Sequence, residues 1–299
     1  MSQPRRDTVA GRTYLDLRAR ARREQRPTDE LLVLYVLERF LYRLSQSAHR
    51  DRLILKGGML LAAFDQRRPT RDIDLLAMAT TNDIDTIAAL VRDVAGVVAD
   101  DGVVFEPDHL TAQSIRQQDV YSAVRITMPA SVDRARHPLR VDVNVGDPVT
   151  PAPIEVDYPT LLGAPFRLMG YPIETVLAEK IITMVDRGDA TTRERDFADV
   201  ALLAGRYDID ANRLSAAVAA TAAYRDTELR PLEEVLITLG GARQTAWARF
   251  LARTGLDADL PASYEDVIVQ IAEFTDPILT RVVKSGSWNS ARGAWEQDA

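Results

Sequence analysis

The fold is decided by Leu53-Ile54-Leu55-Lys56-Gly57-Gly58-Met59-Leu60-Leu61 and, a few residues on, Thr70-Arg71-Asp72-Ile73-Asp74-Leu75-Leu76. The apolar run at 53–55 predicts a strand, Gly57-Gly58 a turn, and the residues to Phe64 a short helix. Such a turn exposes backbone N–H groups, and a helix opening there adds positive potential, which suits phosphate. Asp72 and Asp74 alternate with Ile73 and Leu75, predicting a second strand with both carboxylates on one face. Adjacent carboxylates repel, and a hard divalent cation relieves that repulsion through oxygen ligands. The alternative reading of the pair is the solvated face of an edge strand partnered by Arg68 and Arg71.

Working outward, Arg140-Val141-Asp142-Val143-Asn144-Val145 alternates with period two, its valines on one face and Asp142 and Asn144 on the other. Beside Asp72 and Asp74, Asp142 would complete a three-carboxylate group of the kind that supports two-metal phosphoryl chemistry. Val103–Glu106 and Tyr121–Met128 are further predicted strands, and Asn82 is placed to cap a helix running to about Ala95. Upstream, residues 7–25 read as a basic helix. Thr28 can cap a strongly amphipathic one carrying Leu31, Leu34, Leu37, Phe40, Leu41 and Leu44. From Pro172 the pattern is helical: 173–185, 193–203, 211–223, 228–239, 245–253 and 264–274. The fold class expected is α+β, a mixed sheet with helices at both ends. A Pro/Gly-rich stretch, Pro148 to Pro165, sets a junction near 160. It divides the chain into 1–160, with N-terminal helices over 1–50, and a helical domain over 161–299. The polar tail from Ser285 reads as loosely ordered.

Among the 299 residues there is no cysteine, which excludes disulfides, thiolate zinc sites, iron–sulfur clusters and a cysteine nucleophile. His49, His109 and His137 lie too far apart in sequence for metal-ligand spacing. The longest apolar run, Leu31–Tyr42, is interrupted by Glu38-Arg39, so no membrane span and no membrane partner are expected. The Arg-rich N-terminus lacks the apolar segment of a secretory signal, and a cytoplasmic location is expected. A net charge of −7 excludes a uniformly basic nucleic-acid binder. Residues 1–26 nevertheless carry eight arginines against three acids, a patch suited either to solvent or to phosphates. Only three of 37 cationic residues are lysines: Lys56, Lys180 and Lys284. Lys180 sits at the border of a buried helical stripe between Leu177 and Ile181, where a lysine either snorkels or offers a compact charge to phosphate.

The ordered set Leu55-Lys56-Gly57-Gly58, Arg67, Thr70-Arg71-Asp72-Ile73-Asp74, Glu179-Lys180-Ile181-Ile182, Asp186-Arg187-Gly188 and Arg193-Glu194-Arg195-Asp196-Phe197-Ala198-Asp199 resembles the AbiEii/AbiGii-type nucleotidyltransferase toxins. Within these it is most similar to the MenT group of mycobacterial toxins. The resemblance spans about 52–203. It implies a polymerase-β-like nucleotidyltransferase core joined to a helical domain, in the toxin of a toxin–antitoxin pair with a cognate antitoxin as partner. It further implies transfer of NMP from NTP to the 3′ end of tRNA, with Mg²⁺, blocking aminoacylation and translation. By position, Gly57 and Gly58 would be the phosphate turn, with Lys56, Thr70 and Arg71 beside it. Asp72 and Asp74 would hold Mg²⁺, Lys180 would contact the triphosphate, and Asp196 would be the later acidic residue, with Asp199 beside it. The usual Gly-Ser of the first motif is Gly57-Gly58 here, and Thr70 stands where a serine is common. The Thr70 hydroxyl would either contact phosphate or be a site of inhibitory modification. Asp142 matches a third carboxylate of the wider fold. Other readings of the same residues are a nucleotidyltransferase acting on a small molecule or a protein, γ-phosphate transfer to a protein, and a catalytically inactive regulatory or binding protein.

Overall fold

The computed structural model describes residues 4–117 and 121–297. Two compact units form, Met1–Gly146 with Ile154–Gly170, and Asp147–Pro153 with Tyr171–Ala299.

In the first unit Thr8 caps α1 (Val9–Arg23) by accepting from the Gly11 amide, and α2 (Thr28–Ser45) follows. Pro27 rather than Thr28 precedes the first turn of α2, and no side chain caps it. Next come β1 (Leu53–Lys56), α3 (Gly57–Leu60), β2 (Ile73–Ala77), α4 (Ile84–Ala95), β3 (Val103–Phe105), β4 (Thr111–Gln117), β5 (Tyr121–Met128), β6 (Ala130–Val132), β7 (Ala135–Arg136), β8 (Leu139–Val145), β9 (Ile154–Tyr158) and β10 (Phe166–Gly170). Asp83, one residue beyond Asn82, caps α4 by accepting from the Thr86 amide. Seven strands form one mixed sheet in the order β4-β5-β8-β2-β1-β10-β9, with β2–β8 and β1–β10 parallel. The three short strands β3, β6 and β7 form a second sheet.

The alternation that predicted the strands also builds the core. Ile73, Leu75, Val141 and Val143 are all fully buried. The apolar stripe of α2 packs against α1, α4 and β10. Glu38 and Arg39, which break its apolar run, are buried inside this unit. Glu38 accepts from Arg39 Nη2 (2.9 Å), Arg67 Nη1 (3.3 Å) and the Leu161 amide (2.7 Å). Burial pushes the Glu38 carboxyl up, and Arg39, Arg67 and the Leu161 amide oppose that shift. The Arg67 guanidinium also donates to the Pro159 carbonyl, so one buried carboxylate anchors the loop between α3 and β2 to α2.

The second unit holds α5 (Ile173–Arg187), α6 (Glu194–Arg206), β11 (Ile209–Asp210), α7 (Ala211–Tyr224), α8 (Leu232–Val235), α9 (Leu239–Thr254), α10 (Tyr264–Leu279), β12 (Ser287–Asn289) and β13 (Ala294–Glu296). The helix expected over 228–239 shrinks to the four residues of α8, because Pro231 delays its start, and α9 then begins at Leu239. The tail corrects a second expectation. It folds as a hairpin paired to β11, with Trp288 Nε1 donating to the Ala204 carbonyl and Trp295 Nε1 to that of Phe274. Two tryptophans supply the apolar area that the polar composition concealed. Among the described residues no helix is long and apolar enough to cross a membrane.

Candidate active site

Strand register lines up the chemistry. Lys56 on β1 stands opposite Asp74 on β2, Asp74 opposite Asp142 on β8, and Asp142 opposite Arg125 on β5. Directly paired residues share a sheet face. One row across four strands therefore reads cation, carboxylate, carboxylate, cation.

The glycine turn closes on this row. Gly57 has φ +65°, a left-handed conformation, and a Cβ there would collide with Asp74 Oδ2. A Cβ on Gly58 would lie 3.0 Å from Thr70 Oγ1 and 3.4 Å from Arg68 Nη2. The turn is thus held between the Asp74 carboxylate and the loop carrying Thr70. The Thr70 hydroxyl donates to Asp72 Oδ1 at 3.2 Å. Asp72 itself lies one residue ahead of β2, so this loop, rather than the strand pleat, sets its direction. Arg71 is exposed on the same loop. The helix opening at the turn, α3, is only four residues long before it tightens into a 3₁₀ turn over Leu61–Phe64. Whatever affinity the turn has for anions rests on its own amides more than on a helix dipole.

Asp142 is 2 % exposed, and both its carboxylate oxygens are engaged. Arg125 Nε donates to Oδ1 at 2.8 Å and Nη2 to Oδ2 at 2.7 Å, a fork-on-fork pair. The hydrogen bond to Asp142 raises the guanidinium pKa above its ordinary value. Burial works against this, and the charges of Asp142, Asp72 and Asp74 add to it. Sequence reasoning overlooked Arg125. Its signal was an arginine in mid-strand, in phase with Ala123 and Thr127 and out of phase with the buried Val124 and Ile126.

Among the described residues no three His, Asp or Glu side chains are grouped to hold a metal ion. The carboxylates outside the Arg125 clamp are Asp72 and Asp74. Mg²⁺ is ordinarily held by one or two carboxylates together with substrate phosphates, and this oxygen donor set fits such an ion.

In the second unit Lys180 on α5 reaches two carboxylates of α6: its Nζ lies 3.1 Å from Asp196 Oδ1 and 2.6 Å from Asp199 Oδ2. Arg193 Nε donates to the other oxygen of Asp196. Burial opposes ionisation of Asp196, but Lys180, Arg193 and Arg195 outweigh it and hold the carboxyl at about 2. The sequence-predicted residues thus gather in two places: Lys56, Gly57, Gly58, Thr70, Asp72, Asp74 and Asp142 in the first unit, Lys180, Asp196 and Asp199 in the second.

The mixed sheet sets a glycine turn against the Asp74 carboxylate, and the same chain carries a helical unit. The family follows from the sequence match: the chain belongs to the AbiEii family, nucleotidyl transferase toxins of type IV toxin–antitoxin systems, whose model matches residues 39–270. Two solved structures from Helicobacter pylori are similar at 13 % identity. One is a candidate nucleotidyltransferase (82 % of this chain, 94 % of that chain, TM-score 0.49), and the other is JHP933 (82 % and 91 %, TM-score 0.48). Among curated proteins no significant match is found.

Proposed function

We propose that this toxin transfers a nucleoside monophosphate from an NTP to the 3′-hydroxyl of tRNA, releasing pyrophosphate, and that a cognate antitoxin silences it. The modified 3′ end could not be aminoacylated, and translation would stop. The observation that carries this reading is the packing of Gly57-Gly58 against Asp74 and Thr70, with Thr70 donating to Asp72. A glycine whose missing Cβ makes room for the Asp74 carboxylate supports a site in which the amides of the turn and acidic side chains act together, the combination a metal-bound triphosphate requires. Asp72 and Asp74 would hold Mg²⁺, which would supply charge neutralisation at the phosphates. The amides of the turn, the Thr70 hydroxyl, Lys56 and Arg71 would bind the triphosphate. Lys180, its ammonium group held by Asp196 and Asp199, is the further phosphate-contacting cation that the family resemblance assigns.

Neither acid considered as a base is well suited to that role. The Asp142 lone pairs face Arg125, and a carboxyl held at about 2, as in Asp196, is a weak proton acceptor. Catalysis then rests on positioning and on electrostatic stabilisation, with the hydroxyl proton passing to solvent. The tRNA reading draws support from α1, where Arg12, Arg22 and Arg23 are exposed in an otherwise acidic chain. tRNA and NTPs meet in the cytoplasm, where the protein would act. Parallel incubations of the protein, Mg²⁺ and tRNA with α- or γ-labelled NTP test the reaction class. Label retained from the α position alone supports nucleotidyl transfer, and label retained from the γ position refutes it.

A further inference from the structure

We propose that Arg125 is a resident cation of the reaction centre: it withholds Asp142 from metal coordination, so that Asp72 and Asp74 alone take one divalent ion. The inference rests on the metal-dependent reading above and concerns how that site is built. Three observations carry it. Both Asp142 oxygens are occupied, at 2.8 and 2.7 Å, by one guanidinium. The Asp142 side chain is 3 % exposed and that of Arg125 37 %, so Asp142 has little water with which to exchange its partner, and the clamp closes on it from the open side. The register places Arg125 next to Asp142 on the side away from Asp74, so Asp142 stands between Asp74 and a fixed cation. A second divalent ion on Asp142 would have to displace two charge-assisted bonds and stand beside a guanidinium that cannot deprotonate. Arg125 is accordingly a positioning residue, and its charge does statically what a second ion does in three-carboxylate sites.

The test is Mn²⁺ binding to the full-length protein, followed by loss of the free-ion paramagnetic resonance signal, with circular dichroism as a folding check. Wild type is expected to bind one Mn²⁺ per chain. Asp74→Asn should weaken that site by about tenfold or more. Asp142→Asn should leave the stoichiometry at one Mn²⁺ per chain, since it removes no ligand. Arg125→Met should free Asp142 and add a second Mn²⁺ site. The double variant Arg125→Met/Asp142→Asn carries no uncompensated buried charge. It should fold and return to one site, which keeps the comparison with wild type available if the single variant does not fold. Two sites in wild type, one of them lost in Asp142→Asn, would overturn the assignment of Arg125 while leaving the metal reading intact. No Mn²⁺ binding by wild type, or binding indifferent to Asp74→Asn, would overturn both.

Discussion

Replacing Gly57 by alanine separates two costs that the structure predicts will add. The first is conformational: at φ +65° an L-residue sits in the left-handed region, at roughly 1–2 kcal/mol. The second is steric: the new Cβ collides with Asp74 Oδ2, and moving a packed group typically costs ~1–3 kcal/mol. Gly163 supplies the control. Its φ of +95° lies further from the favoured left-handed well, yet nothing stands within 4 Å of its Cβ position. Gly163→Ala therefore bounds the conformational cost from above. With roughly 2–4 °C per kcal/mol for a unit of this size, Gly163→Ala should lower the melting temperature by about 3–6 °C and Gly57→Ala by about 6–15 °C. Scanning calorimetry reads both, and a filter assay for label transfer to RNA should find only Gly57→Ala inactive. Equal melting shifts with activity retained in Gly57→Ala would refute the argument that Asp74 sits against the turn.

In the second unit, Asp196 titrates at about 2 in the fold against an ordinary 3.8, so its contribution to stability is full above the ordinary value and disappears as pH falls through 2. That contribution is on the order of 2 kcal/mol, and the stability gap between wild type and Asp196→Asn, from urea unfolding, should stay constant down to about pH 5 and narrow from there to pH 2. Glu38→Leu strips the buried Arg39 of its carboxylate and frees Arg67 and the Leu161 amide; a loss of ~3–5 kcal/mol is expected by denaturant unfolding. Thr70→Val deletes one hydroxyl donor to Asp72; at about 1 kcal/mol for one hydrogen bond it should slow transfer by about fivefold and lower the melting temperature by roughly 2–4 °C. Replacing both Arg22 and Arg23 by alanine should reduce the slope of log affinity for tRNA against log salt by roughly 1–2, measured by filter binding between low and physiological salt.

Much of this was legible in the sequence because period-two alternation and glycine turns are local signals. Val141, Val143 and Val145 announced β8, and Leu53 to Gly58 announced the strand and turn that carry the phosphate reading. The strands β9 and β10 were not legible. They are short, lie among Pro148, Pro151, Pro159 and Pro165, and owe their pairing to a sheet built from distant residues. The C-terminal hairpin was hidden for a related reason: Trp288 and Trp295 are apolar only in the company of Phe274, which lies in α10. At the site, the sequence offered Asp142 as a carboxylate that could join Asp72 and Asp74, and the strand register pairs it with Asp74. It did not reveal that Asp142 has a partner, because the pairing of Arg125 with Asp142 depends on strand order, which alternation does not encode.

The central claim is nucleotidyl transfer to the 3′ end of tRNA. Its most direct measurement is incubation with Mg²⁺, total tRNA and each α-³²P-labelled NTP in turn, beside tRNA whose terminal diol has been oxidised with periodate, and beside the Asp72→Asn protein. Label in intact tRNA with one or more NTPs, absent from oxidised tRNA and from Asp72→Asn, is the predicted result. Label that survives oxidation of the 3′ end, or no label in tRNA with any NTP, would contradict the claim.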